Sequence, residues 1–133
     1  MTIAVLLQDA LEENAGVAAL TATRIYPLIL PQTPTYPAIT YQRISSTGQD
    51  GTSTLRQSRW QVNCWSKRKD GSGGYGECQQ LATAVKAALE EHIDLSQTPG
   101  INMALVVNEL DDYEDETQVY RVIIDVILHT TGD

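Results

Sequence analysis

Thr117-Gln118-Val119-Tyr120-Arg121-Val122-Ile123-Ile124-Asp125-Val126-Ile127-Leu128-His129 is the stretch on which the fold reading turns. Taken at every second residue, Tyr120, Val122, Ile124, Val126 and Leu128 fall on one side and Val119, Arg121, Ile123, Asp125 and Ile127 on the other. A β-branched run with this period is a strand. Apolar residues on both sides predict that it is central in its sheet, or that another subunit covers one face.

Working outward, Ile101 to Leu110 reads as its antiparallel partner, joined to it by an acidic turn from Asp111 to Glu116. Pro99-Gly100 punctuates the turn before that strand. Cys78, Leu81, Ala82, Val85, Ala88 and Leu89 recur at helical spacing and predict a helix from about Tyr75 to Glu91, its alanines suited to close packing on a sheet. Trp60, Val62 and Cys64 alternate with Arg59, Gln61 and Asn63, so residues 55–66 read as a strand with one wetter face, on which Trp65 also lies. Ala38 to Ser45 is a further strand, and the small polar stretch 46–54 a loop. Residues 67–74 form a basic, then glycine-rich, loop.

Residues 27–37 hold four of the five prolines and predict an extended connection, whose Leu28, Ile29 and Leu30 should pack in part on the domain or on a neighbour. At the start, Ile3, Leu6, Leu7, Ala10 and Leu11 predict a helix over about 2–14, capped by Thr2 and stopped by Asn14-Ala15-Gly16. Val17 to Leu20 reads as one more turn, and Thr21, Thr23 and Ile25 as extended. The expected fold is α+β: a mainly antiparallel four-stranded (or slightly larger) sheet with two helices packed on one face, residues 1–133 forming one domain.

With 133 residues, 42% of them apolar, the chain has enough material for a core without disulfides or metal. Six Tyr, two Trp and no Phe favour half-buried or interface positions over a dry core. The net charge of −8 excludes a broad basic face for nucleic acid, though it suits a passage through which DNA slides without sticking. The N-terminal stretch lacks the basic start of a signal peptide and no apolar run reaches membrane-span length, so a cytoplasmic chain with reduced cysteines is expected. Cys64 and Cys78 form no CxxC pair, and His92 and His129 stand apart from them; no metal site or cofactor is expected.

No catalytic constellation emerges. Glu12-Glu13 and Glu90-Glu91 sit on exposed helix faces, and no Ser or Cys stands in a nucleophile motif. Gly71, Gly73 and Gly76 have the bare G-x-G-x-x-G spacing, but no Lys-Ser/Thr pair follows and no acidic residue ends a second parallel strand about 20 residues on. What remains is charge. Glu109, Asp111, Asp112, Glu114, Asp115 and Glu116 place six acids in eight residues, while Arg56, Arg59, Lys67, Arg68 and Lys69 hold five of the nine bases. Either cluster alone reads as a solvated loop end. Together they form a candidate subunit interface, the acidic hairpin of one copy meeting the basic loop of the next in a head-to-tail contact that builds rings when the rotation closes.

Arranged along the chain, Thr23-Arg24-Ile25-Tyr26-Pro27, Leu30-Pro31-Gln32, Tyr36-Pro37-Ala38-Ile39-Thr40-Tyr41-Gln42-Arg43-Ile44, Arg59-Trp60-Gln61-Val62-Asn63-Cys64-Trp65-Ser66, the alanine-rich stretch 78–89 and Tyr120 to Val126 resemble the tail-completion proteins of long-tailed bacteriophages, which include tail terminators and tail-to-head joining proteins. The acidic stretch 109–116 is heavier than that family leads one to expect. The resemblance implies a structural protein of the virion tail, assembled in the host cytoplasm, with no active site. It implies a self-assembled ring, a hexamer in the family, that caps the tail tube, stops its polymerisation and meets the head. Its partners would be further copies, the tail-tube protein and a head-completion or connector protein, with DNA passing through the lumen and no membrane involved. Competing readings are a head-side connector, a monomeric acidic binding module and a small enzyme with an unrecognised site.

Overall fold

The computed structural model describes residues 2–48, 54–69, 72–96 and 98–132. The chain begins with helix α1 (Ile3–Glu13), whose first turn is closed by Thr2 accepting from the Val5 amide at 3.3 Å. Asn14 then ends one helix and starts another. Its side-chain oxygen accepts from the Val17 amide at 3.0 Å and caps α2 (Ala15–Thr21). The stretch expected to add a single turn is therefore a helix of its own, because one Asx cap reorients the chain.

Strand β1 (Ile25–Pro27) follows, then β2 (Ala38–Gly48), β3 (Leu55–Lys69), the two-residue β4 (Ser72–Gly73), helix α3 (Tyr75–Leu89), β5 (Gly100–Glu114) and β6 (Val119–Thr131). Five strands lie in the order β1-β2-β3-β6-β5, and β4 pairs with the end of β3. All neighbours are antiparallel except β1 and β2, which run parallel with Ile25 opposite Ile39.

The sheet is thus mixed and five-stranded with three helices, which corrects the expectation of a four-stranded antiparallel sheet and two helices. The physical reason lies at β1. Three residues ending in a proline leave no alternation to read, and the ten-residue connection 28–37 carries the chain back so that β2 starts at the same end. Two boundaries also move. β3 runs on to Lys69 through the expected basic loop, and β5 runs to Glu114 through the expected acidic turn, leaving the turn itself at residues 115–118. On the outermost strand both sides meet water, so acids enter it without a burial penalty. β2 likewise extends into the expected loop as far as Gly48, and residues 49–53 lie outside the described residues.

The three helices share one face of the sheet. Their buried residues, among them Leu6, Leu7, Leu11, Leu81, Val85 and Leu89, join Ile39, Trp60, Val62, Val122, Ile124, Val126 and Leu128 in a single apolar cluster. Fully burying each such Leu, Ile or Val contributes roughly 1.5–3 kcal/mol. α3 lacks a side-chain cap of its own; Gly74 at its N-cap has φ of 81°, and a Cβ there would press on the Tyr120 ring at 3.3 Å. The strand beneath supplies the cap instead: Ser66 Oγ accepts from the Gly74 amide at 3.2 Å and donates to Glu77 Oε1 at 2.7 Å.

Candidate functional site

The face of the sheet away from the helices is built as cross-strand rows. One runs Ala38–Trp65–Arg121–Asp112, the next Thr40–Asn63–Ile123–Leu110, then Gln42–Gln61–Asp125–Asn108 and Ser45–Arg59–Ile127–Leu105. These residues sit side by side because strand partners share a face. Along β6, Arg121, Ile123, Asp125, Ile127 and His129 are half-buried, whereas Val122, Ile124, Val126 and Leu128 on the helix side are fully buried. Apolar and polar positions alternate on this open face, and the charges of its central rows, Arg59, Asp125, Arg121 and Asp112, are paired within it. Arg121 Nη2 reaches Asp112 Oδ2 at 2.7 Å and its guanidinium lies 5.1 Å from the Trp65 ring centre. Asp125 stands 3.8 Å from Arg59 and accepts from the Asn108 amide at 3.3 Å. Trp65 donates to Thr40 Oγ1 at 2.9 Å, and Thr40 and Asn63 are buried beneath this arrangement.

At the hairpin end the proline-rich segment closes over the open face. A cleft of about 720 Å³ lies between Pro31–Tyr36 on one side and Lys67, Thr117 and Val119 on the other. Burial, with the nearby Glu114 carboxylate adding to it, raises the Tyr36 phenol above its usual range. Of the three apolar residues expected to pack in part on the domain or on a neighbour, Leu30 is half-buried on the domain, and Leu28 and Ile29 are exposed at 65% and 77%.

The structure divides both charge clusters. Lys67 pairs with Val119, which pairs with Glu114, so the exposed Lys67 and Arg68 share one end of the sheet with the acidic hairpin. Arg56 and Arg59 lie toward the other end of β3, opposite Thr130 and Ile127. Lys69 ends β3, and Asp115 and Glu116 occupy the exposed turn. Among the described residues, three of the six acids have partners at home. Glu109 binds Lys86 of α3 at 2.7 Å, Asp112 binds Arg121, and Asp111 accepts from the Tyr75 hydroxyl and, at 3.2 Å, from the Gln79 amide. Among the described residues, Asp111 is thereby held by neutral donors, beside three tyrosine rings: Tyr113 and Tyr120 at 4.5 Å, Tyr75 and Tyr120 at 5.8 Å. The hydrogen bond from Arg121, then that from the Tyr113 amide, holds the Asp112 carboxyl below the usual carboxylate range. Alternation on α3 and β5 hints at the contacts of Glu109 and Asp111, but the partner of Asp112 is set by sheet register alone.

Elsewhere, Cys64 and Cys78 are free and buried, Cys78 Sγ donating to the Cys64 carbonyl at 3.0 Å. Burial pushes the Cys78 thiol up to about 12 and raises Cys64 as well, so neither is poised as a nucleophile. Among the described residues, no group of three or more His, Cys, Asp or Glu is arranged to hold a metal ion, and no helix is long and apolar enough to cross a membrane.

Comparison with known proteins gives the fold and the family. No curated protein matches the chain. A chain in the solved structure of the virion of a native gene transfer agent (GTA) particle has the same fold, with a TM-score of 0.73 at 16% identity over 95% of this chain and 92% of that one. Residues 5–130 match the family of tail completion protein gp17, and the chain belongs to that family, as a structural component of a phage-type virion tail.

Proposed function

We propose that copies of this chain form a ring at the end of the tail tube, stop its polymerisation and present the surface that joins the head. The observation that carries this reading is the one-sided sheet. All three helices cover one face, while the other keeps half-buried Ile123 and Ile127 among charges already paired to each other. With that face turned to the lumen, Gln61, Asn63 and the Arg59–Asp125 and Arg121–Asp112 pairs offer DNA no unpaired row of cations. The net charge of −8 adds a repulsive field around the phosphates. Six copies is the number that the family implies.

Neighbouring copies meet through opposite charges. The exposed Lys67 and Arg68 face the acidic hairpin around Glu114, Asp115 and Glu116 of the next copy; the side chain of Lys69, next in the same basic run, lies outside the described residues. Reversing Lys67, Arg68 and Lys69 to glutamate is expected to weaken assembly and remove its salt sensitivity. Assembly that is unchanged in both respects eliminates this contact. The tube-capping role is tested by adding the purified protein to polymerising tail-tube protein and reading tube length and end caps by electron microscopy. Tubes that stop short with a ring at one end support the terminator role. Full-length bare tubes sink it and favour a head-side connector.

A further inference from the structure

We propose that copies join edge to edge: the free outer edge of β2, Ser45–Gly48, pairs antiparallel with Glu109–Asp112, within the free outer edge of β5 (Asn108–Glu114), of the next copy. This rests on the ring reading above and is a rival to the charge contact given there: in this register Glu114 of the next copy is level with Gln61, six residues or ~20 Å along the strand from Lys67.

Each of these two strands is covered over part of its outer side only. On β2, the Ile39 amide donates to Arg24 and the Tyr41 carbonyl accepts from Leu28, so the neighbourhood of β1 closes residues 39–41. On β5, Asp94 exchanges hydrogen bonds with Ile101, and Ala104 bonds with Glu91 and His92. Beyond these stretches, among the described residues, Ser45–Gly48 and Asn108–Glu114 have strand partners on the inner side alone. Unpaired strand edges are templates for another strand.

Direction and orientation agree. Three antiparallel steps separate β2 from β5, so the two run in opposite senses. A copy placed beside the first in the same orientation therefore brings them together antiparallel, in a heterologous contact. Ile39 and Tyr41 show that helix-facing residues of β2 turn their backbone groups outward; past the bulge, Ser46 and Gly48 hold that position opposite Ser58 and Arg56. On β5 the same holds for Ile101 and Ala104, and hence for Glu109 and Asp111. Charge agrees as well. The Arg56 guanidinium lies over Gly48, its Nη1 3.6 Å from where a Cβ would stand, and it bonds Ser46 Oγ at 3.1 Å. It thus sits at the β2 edge on the helix side, where the facing edge carries Asp111, a carboxylate whose donors among the described residues are neutral.

The two free stretches lie at opposite ends of the sheet, which fixes the geometry of closure. Asp111 is level with Cys64 of β3, and Ser46 with Ser58, six residues apart. At ~3.4 Å per residue the copies are staggered by ~20 Å. Four strands, β2, β3, β6 and β5, span ~19 Å at ~4.8 Å each. Equal stagger and width require strands tilted by ~45° to the ring axis, at the upper end of the range in which barrels close. Without the tilt, the same contact would climb as a filament.

Single-cysteine variants test the pairing. Ser46→Cys and Asp111→Cys chains are mixed under conditions where rings form on tube ends and then oxidised; native Cys64 and Cys78 are fully buried and do not compete. The mixed disulfide is expected in at least tenfold excess over either self-linked product. Rings that yield no mixed product, or equal amounts of all three, overturn edge pairing and leave the ring standing. Absence of rings altogether, with unsubstituted protein too, overturns the ring reading and this one with it. A second variant guards against a misfolded cysteine chain. Gly48→Pro removes one outward N–H and leaves the contacts to β3; it is expected to weaken assembly at least tenfold with the melting temperature unchanged, while Gly48→Ala assembles normally.

Discussion

The two sides of β6 are made from the same thirteen residues and meet different surroundings. On the helix side, Val122, Ile124, Val126 and Leu128 have no exposed surface. On the open side, Ile123 and Ile127 are just as apolar yet only half-buried, and they are interleaved with Arg121, Asp125 and His129. Period two therefore separates two jobs: one side holds the fold together, and the other is composed like a surface that another protein or a lumen meets. The difference teaches that apolar residues on both sides of a strand do not by themselves show that both sides are filled by its own chain.

The largest expected effect tests that separation directly. Ile124→Ala opens a cavity in the core cluster and should cost about 3 kcal/mol, whereas Ile123→Ala, one residue away, should cost less than about 1 kcal/mol. Chemical denaturation of both variants measures the gap. Equal costs would mean that the open face is packed in the isolated chain after all. Trp65→Ala comes next, at about 2 kcal/mol, since it removes the hydrogen bond to Thr40 and the ring under Arg121 from a half-buried site. A loss below about 0.5 kcal/mol would show that the Trp65 row contributes little to the open face.

The sequence made the alternating elements legible. Residues 55–66 and 117–129 alternate cleanly, and the stripe from Cys78 to Leu89 places α3, because burial on one side forces those periods. Where burial does not impose a period, the reading fails. β1 has three residues and is held by backbone bonds that any side chains permit. α2 depends on the single side chain of Asn14. The acids of β5 lie at an edge, where alternation lapses and a strand resembles a turn. The candidate surface was legible as charge but not as geometry. Glu109 finds Lys86 and Asp112 finds Arg121 only through topology and register, and Arg56 and Arg68 are close in sequence yet toward opposite ends of one strand.

Thr130 sharpens the comparison from the covered side. Its hydroxyl is buried on the helix face of β6 and has no hydrogen-bond partner among the described residues. A buried hydroxyl without a partner carries a desolvation cost that the isosteric methyl avoids, so Thr130→Val should be neutral or stabilise by up to about 1 kcal/mol. Thermal melts of the two proteins decide it; a clear destabilisation would show that the hydroxyl is solvated or bonded there.

The smallest effect belongs to the open side and is a matter of pH. Arg121, and then the Tyr113 amide, lower the Asp112 pKa in the folded chain. A group whose folded pKa is depressed stabilises the fold at pH above its ordinary range, and that contribution fades as the pH falls through the depressed value. Asp112→Asn should therefore leave stability nearly unchanged at neutral pH and shallow the acid limb slightly, because the Asp112 side of the pair is exposed and screened. Carboxyl NMR of the parent protein should show Asp112 titrating below the ordinary aspartate range. If Asp112→Asn instead cost as much as Ile124→Ala, the Arg121 pair would be acting as a buried one, and the contrast between the two sides of β6 would not hold.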